Sequence, residues 1–312
     1  MNVRTGLTRR RLIRTAGLAA IGTTVSGGYA VGVEPFRLRI QHWGLTPPGW
    51  PPGLRLRIGA LADVHACDPW MTPDRIRAIV ERANALDPDV TVLLGDYVAG
   101  HRFVTGAVEM RDWAAALAGL RARLGVWAIL GNHDWWQDKA AQKAGKGPVR
   151  SFLALTDAGI PVLENDAVRV DHGGSPFWIA GLGDQIAFRI REQGRTLLRG
   201  VDDLPGTLAK VADDAPVILL AHEPDIFPRV PARVAVTLSG HTHGGQVRVF
   251  GYSPVVPSRY GNRYAYGHVV EQAPSGASRH LVVSGGLGCS IVPVRAGVPP
   301  EITVVTLGAD AG

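Results

Sequence analysis

Four short stretches of this chain carry residue types that bind metals and move protons. They are Asp63-Val64-His65, Gly95-Asp96, Gly131-Asn132-His133-Asp134 and Gly240-His241-Thr242-His243. A further imidazole, His222, follows the apolar run Val217–Ala221. Carboxylate and amide oxygens mixed with imidazoles suit borderline divalent ions such as Mn, Fe or Zn. Two such ions side by side form a clamp for in-line displacement at phosphorus. The chemistry these residues can do together is hydrolysis of a phosphate ester.

Taken singly, the pieces differ in weight. An Asp and a His two residues apart are more often a turn cap and a surface imidazole, and Gly95-Asp96 says as little. Gly131-Asn132-His133-Asp134 says more, because it ends a buried run. Gly240-His241-Thr242-His243-Gly244-Gly245 says most. On an extended segment His241 and His243 project to the same face, and the glycines let the backbone come close.

These residues need a frame that brings them to one edge. Leu54, Leu56 and Ile58 alternate with Arg55 and Arg57, which predicts a half-buried strand stopping at Asp63. Thr72-Pro73-Asp74 opens a helix, with Ile76, Ile79, Val80, Ala83 and Leu86 at helical spacing. Val90–Leu94 is a buried strand ending in Gly95-Asp96. A helix over 107–123 and a strand over Val126–Leu130 follow, the strand ending in Gly131. Strand, helix, strand, helix, strand puts three polar clusters at three strand C-termini, the edge where open α/β sheets bind ligands. Phe36–Ile40 alternates like a further strand, and Pro47, Pro48, Pro51 and Pro52 break the chain after it. The segment 137–150 reads as a solvated loop or short helix. Later strands fall at Phe177–Ala180, Val217–Leu220, Val234–Leu238, Leu281–Ser284 and Ile302–Leu307. The pattern predicts one α/β domain over 54–312, with two β-sheets packed face to face and helices outside, preceded by a strand and Pro-rich connection over 31–53.

The net charge of +6 misleads. Arg4, Arg9, Arg10, Arg11 and Arg14 carry five of those charges, and no acid precedes Glu34. From residue 31 onward, 28 Lys and Arg face 27 Asp and Glu. The body therefore lacks the basic face of a nucleic-acid binder. A basic start, an apolar Gly- and Ala-rich run from Thr15 to about Val25 and small residues up to Ala30 describe an export signal over 1–30. Its paired arginines resemble the twin-arginine type, which engages the machinery that exports folded proteins. The alternative is a retained anchor, so the expected location is outside the cytoplasmic membrane or anchored on its outer face. Trp43 and Trp50 are candidates for touching a membrane surface, though buried packing is more usual for Trp. The two cysteines, Cys67 and Cys289, are expected as unpaired core residues.

The order Asp-x-His, Gly-Asp, Gly-Asn-His-Asp, His, Gly-His-Thr-His resembles the calcineurin-like metallophosphoesterase superfamily, from Leu54 to about Val249. Gly244-Gly245-Gln246, Gly285–Gly288, Pro299–Ile302 and the twin-arginine leader are similar to a bacterial exported or membrane-associated phosphodiesterase branch. The resemblance implies a four-layer sandwich of two mixed sheets flanked by helices, and a dinuclear centre of Mn, Fe or Zn. Asp63, His65 and His243 would hold one ion, and Asn132, His222 and His241 the other, with Asp96 bridging. His133 would sit over the phosphate, oriented by Asp134, and Tyr97 would shape the pocket. A hydroxide bridging the ions would attack phosphorus in line. His133 would stabilise charge or protonate the leaving oxygen. Arg295 is expected as a solvated surface cation, the alternative being a phosphate contact. The leading expectation is a phosphodiesterase acting on a phosphate ester, including lipid-linked ones. Alternatives are a pyrophosphohydrolase of a nucleotide-linked lipid precursor and a non-catalytic binding module.

Overall fold

The structure is a computed structural model that describes residues 26–273 and 275–308. The chain first lays down β1 (Arg39–Leu45), β2 (Leu56–Leu61), β3 (Val90–Leu93) and β4 (Val126–Ala128). Between them lie α1 (Pro73–Asn84) and α2 (Met110–Leu117). After β4 come α3 (Asn132–Trp136), α4 (Lys139–Ala144) and α5 (Arg150–Asp157). A second set of strands follows: β5 (Asp166–His172), β6 (Ser175–Gly181), β7 (Val217–Leu220), β8 (Val234–Ser239), β9 (Gly267–Gln272) and β10 (Ser278–Val283). The last strand, β11 (Glu301–Leu307), returns to the first set.

The first sheet runs β1-β11-β2-β3-β4, and the second runs β9-β10-β8-β7-β6-β5. β2, β3 and β4 are mutually parallel, as are β6, β7, β8 and β10. Antiparallel pairing joins β11 to β2, β9 to β10 and β5 to β6. Both sheets are therefore mixed.

Alternation along the strands makes the layers. Leu56, Ile58 and Ala60 of β2 meet Phe177 and Ile179 of β6, and Ile218 and Leu220 of β7, in the core between the sheets. Leu61 and Leu93 face the other way, onto Ile76, Ile79 and Val80 of α1 and Trp113 and Leu117 of α2. Val217 and Leu219 of β7 face outward onto Phe227 and onto Leu204 of α6 (Leu204–Ala209). Two helical layers thus flank two sheets, as expected.

Several boundaries differ from the expectation. The helix expected over 107–123 covers only 110–117, because Gly106–Ala107 pairs antiparallel with Cys67–Asp68 instead. At its far end, a Cβ on Gly119 would lie 3.2 Å from Val80 Cγ1, so glycine lets the turn press against α1. The strand expected from Phe36 starts at Arg39, because Pro35 holds Glu34–Phe36 in a 3-10 turn. β1 then pairs along its whole length with β11. Trp50 is buried with its Nε1 donating to Leu54 O at 2.7 Å, and Trp43 packs edge-on to Tyr266. Cys67 and Cys289 are buried and unpaired. The arginine-rich leader lies outside the described residues, apart from its last residues, 26–30. No helix among the described residues is long and apolar enough to cross a membrane.

Candidate metal centre

The turns after β2, β3 and β4 carry Asp63, Asp96 and Asn132, and those after β7 and β8 carry His222 and His241 with His243. The parallel strands bring all these turns to one edge, at the crevice between the sheets. The turns are stitched to each other. Asp63 N donates to Gly95 O at 3.0 Å, His65 N to Asp96 O at 3.0 Å, and Gly240 N to His222 O at 3.1 Å.

Asp63, His65 and His243 offer atoms that all lie within 4.8 Å of one another, and so do Asp96, His222 and His241. Asp96 joins the two groups. Its Oδ2 lies 3.5 Å from His65 Nε2 and 3.3 Å from His222 Nε2, and its Oδ1 accepts from His133 N at 2.7 Å. His65 Nε2 and His243 Nε2 face each other at 3.1 Å, and Asn132 Oδ1 lies 2.8 Å from His241 Nδ1. All seven side chains singled out as ligands are therefore brought together.

Their backbone is unusual. Asp63, His65, Asp96, His241 and His243 have φ of 56°, 47°, 59°, 68° and 51°. The left-handed region costs a residue with a Cβ roughly 1–2 kcal/mol, and such residues persist only where their surroundings dictate them. This overturns the extended-segment expectation for His241 and His243. They reach the same centre because each is flipped into a turn, not because strand alternation aligns them.

Burial pushes the Asp63 carboxyl up to about 7 and the His65 imidazole down to about 3. Burial also lowers His241 and His243. For Asp96 burial acts upward, but the His222, His133 and His65 imidazoles outweigh it and hold the carboxyl well below the usual range. Burial acts downward on His222, and the charges of Asp96, Glu223 and Asp63 outweigh it in the other direction.

The donor set fits divalent ions on the geometry alone. His65 Nδ1 lies 3.0 Å from Val98 O, and His222 Nδ1 lies 2.6 Å from Leu94 O. A carbonyl only accepts, so each Nδ1 carries a proton and each Nε2 points inward; the His65 Nε2 offers a lone pair there, and His222 offers one once its second proton is displaced. Asp63 Oδ2 and His222 Nε2 are buried and make no directed hydrogen bond; the 3.3 Å approach of His222 to Asp96 is misaligned. Buried lone pairs without a donor are rare, and a cation satisfies them.

Three expected roles change. Asp134 does not orient the His133 ring. Its Oδ2 accepts from Asp96 N and Gly131 N, each at 2.9 Å, and its Oδ1 from Tyr97 N at 3.1 Å. With both oxygens committed to main-chain amides, Asp134 fixes two of the turns to each other. His133 is half-buried and its Nε2 lies 3.3 Å from Ser290 Oγ, while its Nδ1 has no partner. Tyr97 does not shape the pocket. It stacks on Trp113 at 5.1 Å and donates to Ile129 O, inside the helix-facing core. Arg295 is neither solvated nor a phosphate contact. It is fully buried, binds the carbonyls of Gly285, Gly288 and Val298, and brings Nη2 to 3.3 Å from His243 Nδ1.

The centre floors a cavity of about 970 Å³ onto which Asp96, Asn132, His133, His241 and His243 open. Its walls include residues the sequence did not single out. Trp136 sits 5.4 Å from the His133 ring, and the Arg189 guanidinium lies 3.5 Å over Trp136. Trp136 stands one helical turn after His133, a spacing that carries the signal. Arg189 comes from the short strand Phe188–Glu192 and Ser290 from a distant loop, and no local pattern announces them.

Comparisons place this geometry among known sequences. Residues 56–245 match the family described as calcineurin-like phosphoesterase. The chain is 29% identical over 311 residues to the uncharacterized metallophosphoesterase YkuE of Bacillus subtilis (strain 168), covering 96% of this chain and 98% of that one. It is 29% identical to an uncharacterized metallophosphoesterase of Aquifex aeolicus (strain VF5), with 88% and 94% covered. A transmembrane protein with metallophosphoesterase domain from Bos taurus is 30% identical, with 83% of this chain and 54% of that protein covered.

Proposed function

The chain belongs to the calcineurin-like phosphoesterase family, whose members hydrolyse phosphoric esters, and from that premise we propose that it is an exported phosphodiesterase with a dinuclear metal centre. The observation that carries this is the place of Asp96 Oδ2, 3.5 Å from His65 Nε2 and 3.3 Å from His222 Nε2 and so against one imidazole of each proposed group, with Asp63 Oδ2 and His222 Nε2 buried and without a hydrogen-bond partner. Asp63, His65 and His243 would hold one ion, Asn132, His222 and His241 the other, and Asp96 both. Two divalent ions there would supply Lewis-acid charge and an activated water.

The remaining work belongs to the protein. The Val98 and Leu94 carbonyls fix the tautomers of His65 and His222. Asp134 keeps the Gly95 and Gly131 turns in register. His133, next to the cavity and outside both of the proposed ligand groups, holds a proton for the leaving oxygen or faces the phosphate charge. Trp136 and Ser290 set its ring plane. A non-catalytic binding module would not need this complete set.

The test is metal analysis combined with a turnover screen of Mn-, Fe- and Zn-loaded protein against phosphate mono- and diesters. Roughly two ions per chain and turnover of bis(4-nitrophenyl) phosphate are expected. A protein that binds no divalent ion, or binds two and turns over no ester, refutes the proposal. A second reading, hydrolysis of a pyrophosphate-linked lipid precursor, draws on Arg102 and Arg189. Both line the cavity without an ion pair among the described residues, ready for a second anionic group. Export rests on the leader sequence alone. A reporter carrying residues 1–35 should leave the cytoplasm by the folded-protein route, and Arg9→Lys with Arg10→Lys should stop it; unchanged export removes that part of the reading.

A further inference from the structure

The large exposed apolar side chains of this protein are unevenly spread. Phe103, Val255, Ile291 and Val292 stand exposed on the walls of the cavity. Val249, Phe250 and Tyr252 crown the turn between Val247 and Pro254, both of which line the same cavity. Phe250 is fully exposed and has a φ of 49°, so its side chain is held out into solvent by a turn that disfavours a bulky residue.

The patch continues around the mouth. Trp70 donates to Phe103 O at 2.6 Å and packs 5.9 Å from Phe36. Phe36 belongs to the segment that also exposes Tyr29, Val31 and Val33. That segment is also tied to the chain just past the rim loop 290–294, where Arg295 N donates to Ala30 O at 2.9 Å. The rim loops 100–104, 247–257 and 290–294 and the segment 29–36 therefore form one apolar collar, far beyond the scattered hydrophobes of an ordinary surface.

We propose that this collar is a membrane-contact face, seated in the headgroup region of a bilayer with the cavity mouth turned toward the lipid. Two features point to lipid rather than to another protein. The apolar run over 15–25, with its five preceding or flanking arginines, leads directly into the collar at residue 26, so the chain outside the described residues starts where the patch is. In addition, Arg102 and Arg189 stand in the cavity wall with no carboxylate partner among the described residues, which suits anionic headgroups. Apolar side chains inserted into the interface with cations beside them are how proteins lie on a membrane without crossing it. The face goes beyond the hydrolytic reading, and it stands or falls separately from it.

The test uses the full chain with a single new cysteine at Phe250 or Ile291, labelled with an environment-sensitive dye; the native cysteines are buried. Leu153, exposed on α5 away from the collar, is the control position. With vesicles of phosphatidylcholine containing 30% phosphatidylglycerol (a proportion on the order used to mimic anionic surfaces), dyes at 250 and 291 should shift to the blue and be quenched by brominated lipid, and the dye at 153 should not. Phe250→Ser with Ile291→Ser should lower vesicle partitioning about tenfold or more. The proposal is overturned if the chain binds vesicles while the dyes at 250 and 291 stay as open to aqueous iodide as at 153, since the leader alone would then hold it. It is equally overturned if those dyes shift without lipid as protein concentration rises and a dimer mass appears, since a second copy would then cover the face.

Discussion

At the floor of the cavity Asp63, His65, Asp96, Asn132, His222 and His243 are at most 2% exposed, whereas at its rim Val255 is 66% and Ile291 68% exposed. The floor residues stand on turns that immediately follow strands, and each turn is bonded to another. The rim residues stand on loops with little regular structure. The floor stores strain in five left-handed residues because two packed sheets can hold it there. The rim has two such residues, Gln246 and Phe250, outside the packed sheets, and its side chains meet the outside. A site that must present several charges in a fixed array needs the first kind of support; a surface that must adapt to a partner needs the second.

If this contrast is right, substitutions at the floor should be severe and those at the rim mild for soluble substrates. The largest effect is expected at Asp96, the carboxylate common to both groups. Asp96→Asn should lower bis(4-nitrophenyl) phosphate turnover at least about ten-thousandfold, near 5.5 kcal/mol of barrier, and metal content should drop with it. Full occupancy and rate in this variant would remove Asp96 from its shared role. His133→Ala should keep both ions and still lose roughly two to four powers of ten in rate. The loss should be greater for alkyl esters than for nitrophenyl esters, whose leaving group departs without a proton. If metal analysis instead shows an ion missing, His133 is a ligand and the roles around it must be redrawn.

Gly131→Ala probes the packing of the floor. A Cβ there would lie 2.4 Å from Asp96 Oδ1 and 2.6 Å from His222 Cε1, so the turn or both ligands must move. A loss of about 1–3 kcal/mol is expected in denaturant unfolding, with weaker metal retention. Unchanged stability and metal content would mean that the floor yields more easily than its bonding implies. The smallest effect belongs to Phe250→Ser, which should change unfolding free energy by no more than about 0.5 kcal/mol and leave turnover of the soluble diester at the wild-type rate. A marked loss there would erase the distinction between floor and rim.

The same contrast explains what could be read from the sequence. Strands β2, β3, β7 and β8 were legible because alternating or continuous apolar residues end at a polar cluster, and the ligand candidates were legible because they sit just past those ends. The roles of Asp134, Tyr97 and Arg295 were not, since each depends on bonds to residues 32 or more positions away or on a burial that only the assembled sheets create. In Arg295's case three loop carbonyls supply what solvent was expected to supply. The segment over 188–199 and the exposed edges β5 and β9 escaped for another reason. They carry mostly polar sequence, with at most two alternating apolar residues turned to the core, Val168 and Val170 of β5, too few to impose a period. The rim was hidden in the same way, because an apolar residue in a loop reads like any other until neighbouring loops are seen beside it.

The position of β11 has a consequence for how the molecule is made. It lies between β1 and β2, and among the described residues is the only strand paired with both. About 240 residues separate the end of β2 from the start of β11, so at ordinary elongation rates roughly ten to fifty seconds pass between their appearances at the ribosome. Throughout that interval β1 has nothing to pair with, and one edge of β2 offers bare amides and carbonyls to any strand nearby. A chain released before Glu301 therefore lacks the strand that joins β1 to the rest of the first sheet. Until its last strand arrives, that open edge is the part of the nascent protein most prone to pair with another chain.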